Sequence, residues 1–223
     1  MHQIRLPIFP LPEVVFFPET VLPLHVFEPR YRQMITDCLA GDRWLGVVML
    51  RPGWEKDYQG RPPVHDIAGA GEIIQAEVLS DGRYNILLDG RRRVRILSEE
   101  PPNGCLYRVA RAERIEDRGP APSDRSFPER LQELRGAHAR LLLALGQSHP
   151  DVVGRLTVAG ASPGAVIDRI VSAVVPEAEV RQRLLDATDV SERLDLAVSA
   201  LADLLTMVGG REGEDDEEEA DDA

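Results

Sequence analysis

The sequence predicts an α+β fold in which a β-rich half precedes a helical half. Short runs rich in valine, leucine and phenylalanine fill the first half, separated by prolines and Asp-Gly pairs, and such runs are typical of strands and hairpins. Capping signals and apolar residues at helical spacing occupy the second half. The predicted domains are a β-rich module at 1–117, a helical bundle at 126–208 and a disordered acidic tail at 209–223.

The strands of the β-rich module follow from its apolar runs. Pro23 lies inside one run and makes it an edge or bulged strand, because proline cannot donate to a sheet ladder. Asp81-Gly82 and Asp89-Gly90 each separate two apolar runs, which predicts a three-stranded antiparallel meander. The predicted strand regions are 13–17, 21–27, 44–50, the meander 72–97, and 105–115.

Four helices are predicted after the proline- and glycine-rich loop 118–125. Ser126-Phe-Pro-Glu129 has the form of a capping box. Ser162-Pro163 and Pro176-Glu177 place proline in the first turn, where its missing N–H costs nothing. Asp189, with Glu192 three residues later, predicts the N-terminus of the last helix. The first predicted helix ends near Leu145 and the second begins at Ser162. The third runs from Pro176 to about Ala187, and the fourth runs from Asp189 to about Val208, where Gly209-Gly210 ends it.

Composition excludes several classes of protein. The chain has 223 residues, 43% of them hydrophobic and 29% charged, which is ordinary for a globular protein. No apolar stretch approaches the ~20 residues of a membrane helix, and the proline-interrupted start lacks the form of a signal peptide, so we expect a cytoplasmic protein without membrane contact. Cys38 and Cys105 are too few for a disulfide framework or a zinc site. We expect no metal and no cofactor.

Charge is distributed unevenly along the chain. Residues 211–223 contain nine acids and one arginine, giving −8 of the net charge of −12. A like-charged block without large apolar residues buries no surface, so this tail is expected to be disordered. Lys56 is the single lysine among 26 basic residues, so any chemistry that needs a lysine must use it.

The stretch LPLHVFEPRYRQM, residues 22–34, brings together His25, Glu28, Arg30 and Arg32. Pro29 suits the first turn of a helix over 30–40, and Glu28 then lies at its N-terminus, where the dipole favours a carboxylate. Arg32 follows Glu28 at the spacing of a helical ion pair. No serine, cysteine or second acid stands close, so we interpret the stretch as a strand-to-helix corner and not as a catalytic constellation.

The same region resembles the opening of the Lon substrate-binding domain, the N-terminal domain of ATP-dependent Lon proteases. The matching positions are Leu6 to Leu11, Phe17-Pro18, Leu22 to Tyr31, Asp81 to Tyr84, Gly90, Arg93 and Ile96. Residues 181–205 resemble the closing helices of the family, and the resemblance spans 4–206. Gly69-Ala70-Gly71 stands where the family often has Gly-Thr or Gly-Cys. The resemblance implies a PUA-like β pseudobarrel followed by a C-terminal helical bundle.

Lon proteases also contain an ATPase module and a Ser-Lys protease, and neither is predicted here. A P-loop needs a lysine after Gly-x-x-x-x-Gly, but Lys56 lies between Glu55 and Asp57. It also lies in a polar loop, without the apolar surroundings that activate the lysine of a Ser-Lys dyad. We therefore expect a stand-alone substrate-binding domain that is not an enzyme.

Gly160-Ala-Ser-Pro-Gly164 has the Gly-x-Ser-x-Gly pattern of an esterase nucleophile elbow. The elbow uses the backbone N–H of the residue after the serine as an oxyanion donor. Here that residue is Pro163, which has no N–H. We therefore interpret Ser162 as a helix N-cap.

RNA binding is the alternative that the sequence raises most directly. Arginines cluster on the predicted hairpins of a fold whose PUA relatives commonly bind RNA. These arginines would bind phosphate. The candidate RNA-binding residues are Arg83, Arg91, Arg92 and Arg95. Against this, the part of the chain before the tail is still acidic and aromatic residues for base stacking make up only 5% of the chain. A solvated strand face with ion pairs is the interpretation we prefer.

The function that the resemblance implies is binding of unfolded or damaged polypeptides. Its partners would be extended polypeptides, with a separate protease or a chaperone as a further partner. The alternatives are an RNA-binding protein and an adaptor or regulatory subunit of a protease. A polypeptide would add to an exposed strand edge or lie in a groove between the β module and the helical bundle. The candidate contact residues are His25, Arg30 and Tyr31.

Overall fold

The computed structural model describes residues 3–102, 104–146 and 160–220, with side chains described up to residue 208. The chain divides into two compact units. Unit 1 consists of Met1–Glu116 and Glu177–Asp186, and unit 2 consists of Asp117–Pro176 and Ala187–Ala223. Sheet and helices occur together, so the predicted α+β class is confirmed.

Unit 1 is a six-stranded β pseudobarrel with two helices. The strand order is β2-β5-β4-β3-β1-β6, and β5 also pairs with β6, which closes a ring of five strands and leaves β2 outside it. β1 and β3 pair in parallel, and the other pairs are antiparallel. The strands are β1 Gln3–Leu11, β2 Val21–Val26, β3 Trp44–Met49, β4 Ile67–Val78, β5 Tyr84–Glu99 and β6 Arg108–Ile115; the helices are α1 Pro29–Ala40 and α4 Ala178–Asp186.

Two apolar clusters form the core of unit 1. The first joins α1 to the sheet through Tyr31, Met34, Ile35 and Cys38. These positions are three or four residues apart and therefore share one face of the helix. The second cluster lies among β1, β3, β4, β5 and β6 and is rich in alanine. The first cluster fixes the corner between β2 and α1, where the predicted site residues lie.

The predicted strand at 13–17 is wrong, and the first strand is β1, which the sequence did not predict. Phe16 and Phe17 are fully buried, and their backbone crosses directly over the sheet. A Cβ on Gly69 would lie 1.9 Å from the Phe16 carbonyl oxygen, and one on Gly90 would lie 2.1 Å from that of Phe17. The crossing segment therefore requires glycine at both sheet positions.

The predicted meander is only partly correct. Asp81-Gly82 forms the hairpin turn between β4 and β5, with Gly82 at a φ of 78°. Asp89-Gly90 is not a turn, because β5 runs through it without interruption. The Gly90 N–H donates to the Thr20 carbonyl at 2.8 Å. Here β5 exchanges one neighbour for another, pairing with β2 up to Asp89 and with β6 from Arg93.

Unit 2 contains helices α2 Phe127–Ala144, α3 Pro163–Val174 and α5 Val190–Ala220. The predicted N-caps of α3 and α5 are confirmed, since Ser162 accepts from the Ala165 N–H at 3.2 Å and Asp189 accepts from the Ser191 N–H at 2.9 Å. The predicted capping box at Ser126 is wrong. Its hydroxyl donates to the carboxylate of Asp124 at 2.8 Å, which leaves no hydroxyl bond to the first turn of α2.

We expect Ser162→Ala to lower the free energy of unfolding by about 1 kcal/mol, because the first turn of α3 loses the oxygen that accepts from Ala165. Urea unfolding followed by circular dichroism measures the change. Ser126→Ala is the matched control, since its hydroxyl caps no helix, and it should have a smaller effect. Equal losses for the two variants would contradict the cap.

Two helices differ from their predictions. Helix α4 was predicted as part of the helical bundle, but it belongs to unit 1, where Gln182 donates to the Ile67 carbonyl at 3.0 Å and Arg93 donates to the Leu185 carbonyl at 3.0 Å. Helix α5 was predicted to end at Gly209-Gly210 but continues to Ala220. The run after the glycines is rich in glutamate, whose helix propensity is high. The disorder predicted for the tail stays a prediction, with its side chains and residues 221–223 outside the described residues.

A charged cluster lies in the interior of unit 2. Arg193 on α5 is completely buried, and it donates to Asp168 at 3.0 Å, to Asp117 at 2.6 Å and to the Ala187 carbonyl at 2.9 Å. Burial opposes its charge, but the two carboxylates outweigh that effect and raise the pKa of the guanidinium. One side chain thus joins α3, α5 and the segment that precedes α2.

Candidate functional site

Glu28 has a structural role at the corner between β2 and α1, as the sequence indicated. The predicted ion pair between Glu28 and Arg32 is wrong. Glu28 instead pairs with Arg30 at 3.0 Å and accepts from the Tyr58 hydroxyl at 2.7 Å. Arg30 also donates to the Tyr58 carbonyl at 3.3 Å and stacks on the Tyr31 and Tyr58 rings. Its partner Tyr58 is 28 residues away, so sequence spacing could not have identified it.

Tyr31 is a core residue with one side turned to a groove. It is only 4% exposed, and its ring lies 4.2 Å from that of Phe9. Burial raises the pKa of the Tyr31 hydroxyl to about 12, so it stays protonated at neutral pH. Tyr31 and Arg30 both line a groove of about 320 Å³ between the start of α1, the 59–61 loop and the β5–β6 connection. We refer to it as the Tyr31 groove.

His25 belongs to a different surface. It lies on β2 opposite Asn85, and a row of hydrogen bonds crosses three strands there. Arg83 donates to His25 Nε2 at 3.2 Å, His25 Nδ1 lies 2.8 Å from the Asn85 amide oxygen, and the Asn85 nitrogen donates to Glu77 at 3.1 Å. This order of donors and acceptors fits a neutral imidazole with its proton on Nδ1.

The structure therefore divides the three predicted contact residues between two surfaces. Arg30 and Tyr31 line the Tyr31 groove. His25 lines a shallow depression of about 430 Å³ on the outer face of β2, β5 and β4. Side chains alternate between the two faces of a strand, so residues on either side of a corner need not meet. Arg30 and Tyr31 also have structural partners, because Arg30 bonds to Glu28 and Tyr58 and Tyr31 packs on Phe9.

The outer edge of β2 is open. Among the described strands, β2 pairs only with β5. Because Gly90 donates to Thr20, the even-numbered residues of β2 face β5 and the odd-numbered ones turn their backbone N–H and C=O groups outward. Pro23 is one of the outward residues, so its missing N–H breaks no bond within the sheet. We call Val21, Pro23 and His25, together with Phe27 directly after the strand, the β2 edge.

Two large apolar side chains of the β2 edge are exposed, Val21 by 57% and Phe27 by 60%. Neither residue was predicted from the sequence as a contact residue. The sequence could have indicated their exposure. Alternate residues of a strand share one face, and Val21 and Phe27 are odd-numbered like Pro23, which already marked an outward position. The β2 edge thus offers backbone donors at Val21 and His25, backbone acceptors, and apolar contact area. An extended polypeptide uses these groups when it adds to a sheet.

The four arginines of the RNA alternative are already engaged. Arg83 pairs with Asp81 at 2.6 Å, Arg91 with Asp89 at 2.6 Å and Arg95 with Glu113 at 3.5 Å. Arg92 stacks on the ring of Trp44, 4.4 Å from its centre. Arg83 also lies at the hairpin, at the opposite end of β5 from Arg95. Three of the four cations are therefore paired with carboxylates and Arg83 lies apart from the others, which makes a poor phosphate-binding surface.

The surroundings of Cys38 and Lys56 do not favour nucleophilic chemistry. Burial raises the pKa of the Cys38 thiol to about 12, which makes it a weak nucleophile. Lys56 lies exposed in a 3₁₀ turn, Trp54–Asp57, between two acids. Within the described part of the chain, no group of three His, Cys, Asp or Glu side chains is placed to hold a metal ion. Each helix in the described part of the chain is too short or too polar to span a bilayer.

A family model described as the ATP-dependent protease La (LON) substrate-binding domain matches residues 5–203. The chain belongs to this family. The match to the Lon substrate-binding domain agrees with the pseudobarrel and helices described above.

Two relatives of this Lon substrate-binding domain are Lon protease 2 of Myxococcus xanthus, 29% identical, and the Lon protease of Anaeromyxobacter dehalogenans, 28% identical. Each alignment covers 88% of this chain and 23% of the relative. The chain thus spans less than a quarter of the length of these proteases. The N-terminal domain of the Mycobacterium avium complex Lon protease superposes with a TM-score of 0.67 at 19% identity, over 90% of this chain and 99% of that one. This likeness shows the shared fold.

Proposed function

We propose that the chain binds extended segments of unfolded or damaged polypeptides at the β2 edge, as a substrate-recognition domain without catalytic activity. The observation that carries the proposal is the open outer edge of β2, with outward backbone groups and exposed Val21 and Phe27. Membership in the Lon substrate-binding family supports a role in recognising protein substrates. A cytoplasmic location, a protease or chaperone partner and an adaptor role stay predictions.

The chemistry of the β2 edge favours unfolded chains. Main-chain hydrogen bonds to a sheet edge do not depend on the ligand's sequence, whereas they do require its backbone to be extended and unpaired. Folded proteins have most of these groups already bonded. Pro23 removes one outward donor in the middle of the edge, which weakens edge-to-edge pairing between two copies. Two copies paired edge to edge would lack two donors, whereas one added polypeptide meets only one missing donor.

We expect Val21→Pro to weaken binding of reduced, carboxymethylated α-lactalbumin by roughly 2- to 10-fold, since it removes one outward N–H worth about 1 kcal/mol. Proline is tolerated there because this N–H does not bond to β5. Fluorescence anisotropy of the labelled ligand measures the affinity, and circular dichroism checks the fold.

Val21→Thr is the matched control, because it keeps the N–H and the branched side chain. It should bind more tightly than Val21→Pro. Native α-lactalbumin, with its disulfides intact, should bind weakly or not at all. Equal affinities of the folded wild type and a folded Val21→Pro variant would place the site elsewhere.

A further inference from the structure

Helix α4 is a short excursion of the chain into unit 1. Residues 177–186 belong to unit 1, whereas the chain before and after them, 117–176 and 187–223, belongs to unit 2. The helix spans only nine residues, Ala178–Asp186. Helices shorter than ~12–15 residues are marginal in water without packing. The helical state of α4 therefore depends on its contacts in unit 1.

The buried face of α4 is only partly apolar. Leu184 and Leu185 are each 1% exposed, but Gln182 is equally buried. The Gln182 amide nitrogen donates to the Ile67 carbonyl at 3.0 Å and to Asp186 Oδ1 at 2.7 Å. Its amide oxygen is buried and has no hydrogen-bond partner in the described part of the chain. A buried acceptor without a donor costs free energy, which water would restore if α4 detached.

The carboxyl group of Asp186 is also poorly placed in docked α4. The residue as a whole is exposed, but burial of its carboxyl raises the pKa, and this effect outweighs the hydrogen bond from Gln182. His65 and Arg51 attract the carboxylate, whereas Asp66 repels it. Asp186 is the last residue of α4, where the helix dipole disfavours a negative charge. At neutral pH the charged carboxylate therefore weakens the docked helix.

Two more polar groups at α4 lose hydration without full compensation. Burial lowers the pKa of the Arg181 guanidinium, which donates to the Glu13 carbonyl at 2.8 Å. His65, which attracts the Asp186 carboxylate, has its Nε2 buried with no hydrogen-bond partner among the described residues. The two buried leucines are thus opposed by several polar groups that water would solvate better.

The contact of α4 with the sheet lies away from the β2 edge. Ile67 on β4 and Arg93 on β5 bond to α4. Strand β5 pairs with β6 from Arg93 onward, and it pairs with β2 only up to Asp89. Movement of α4 therefore does not need to disturb the proposed polypeptide-binding edge.

We propose that α4 is a releasable strap on unit 1, which detaches by a local opening while the sheet of unit 1 and the helices of unit 2 stay folded. Local openings of this kind are typical of elements with few buried apolar contacts. Release exposes Leu184, Leu185 and the Ile67 end of β4. The strap goes beyond the proposed polypeptide binding and does not depend on it.

Native-state hydrogen exchange, followed by NMR in the full chain at low urea concentrations, tests the strap. We expect the amides of Leu184 and Leu185 to be at least about 10-fold less protected than those of Val47 in β3 and Ile170 in α3. Their exchange should depend little on urea, because a local opening exposes little surface.

Asp186→Asn should slow exchange at Leu184 and Leu185 by roughly 2- to 10-fold at neutral pH. The amide removes the disfavoured charge and keeps an oxygen that accepts from Gln182. Glu179→Gln is the matched control, because it removes an exposed carboxylate from the first turn of the same helix, where the dipole favours it. This control should leave exchange unchanged or make it slightly faster.

Protection of Leu184 and Leu185 equal to that of Val47 or of Ile170, with the same urea dependence, would overturn the inference, because α4 would then open only together with unit 1 or with unit 2. An Asp186→Asn variant that exchanges at the wild-type rate or faster would also overturn it.

Discussion

Replacing Arg193 with alanine is expected to lower the free energy of unfolding by about 3–5 kcal/mol, the largest loss we expect from any single side chain. The guanidinium is fully buried and is held by two carboxylates and a carbonyl. Its removal leaves Asp168, only 2% exposed in its side chain, without the cation that it contacts at 3.0 Å. Urea unfolding followed by circular dichroism measures the loss.

Two further variants make this result specific. Arg114→Ala removes an arginine whose ion pair with Glu116 is half exposed, and we expect little change. Arg193→Met combined with Asp168→Leu removes both charges of the Arg193–Asp168 ion pair and should recover part of the stability, since apolar replacements avoid a buried carboxylate that has lost its arginine. If Arg193→Ala is as stable as Arg114→Ala, the cluster does not hold unit 2 together.

Gly69→Ala is expected to destabilise unit 1 by about 3 kcal/mol, because the added Cβ would lie 1.9 Å from the backbone oxygen of Phe16. A backbone atom between two buried phenylalanines cannot move aside as a flexible side chain can. Gly90→Ala should act in the same way through the Phe17 carbonyl. Thermal and urea unfolding measure both changes.

Gly136→Ala is the control with the opposite sign. Gly136 lies within α2, and a Cβ there would meet nothing within 4 Å. Alanine should therefore stabilise the helix by about 0.5–1 kcal/mol. Equal effects of the alanine substitutions at Gly69 and Gly136 would show that the crossing segment does not press on the sheet.

Much of the fold could be predicted from local signals. Asp81-Gly82 produced the hairpin expected of it, Pro23 marked an edge strand, and Ser162 and Asp189 marked helix starts. The errors come from contacts between distant segments. Asp89-Gly90 is the same dipeptide as the Asp81-Gly82 turn, but Gly90 is needed because the backbone of Phe17 crosses the sheet there. Local propensity cannot distinguish these two uses.

The sequence predicted the corner at which the candidate residues lie, but it did not predict the roles of these residues. The sequence placed His25, Arg30 and Tyr31 within seven residues, but strand alternation sends His25 to the β2 face while α1 buries Tyr31. The contacts that decide the roles of Arg30 and His25 come from Tyr58 and Asn85. These partners lie 28 and 60 positions away, and neither spacing nor composition indicates them.

Amide hydrogen exchange at β2 tests the central claim most directly, since it reports on the outward N–H groups themselves. In the unliganded chain the N–H groups of Leu22 and Leu24 should be protected by β5, whereas those of Val21 and His25 should exchange freely. Saturation with reduced, carboxymethylated α-lactalbumin should slow exchange at Val21 and His25 and leave Leu22 and Leu24 unchanged. Binding that leaves Val21 and His25 exchanging as before would contradict the account.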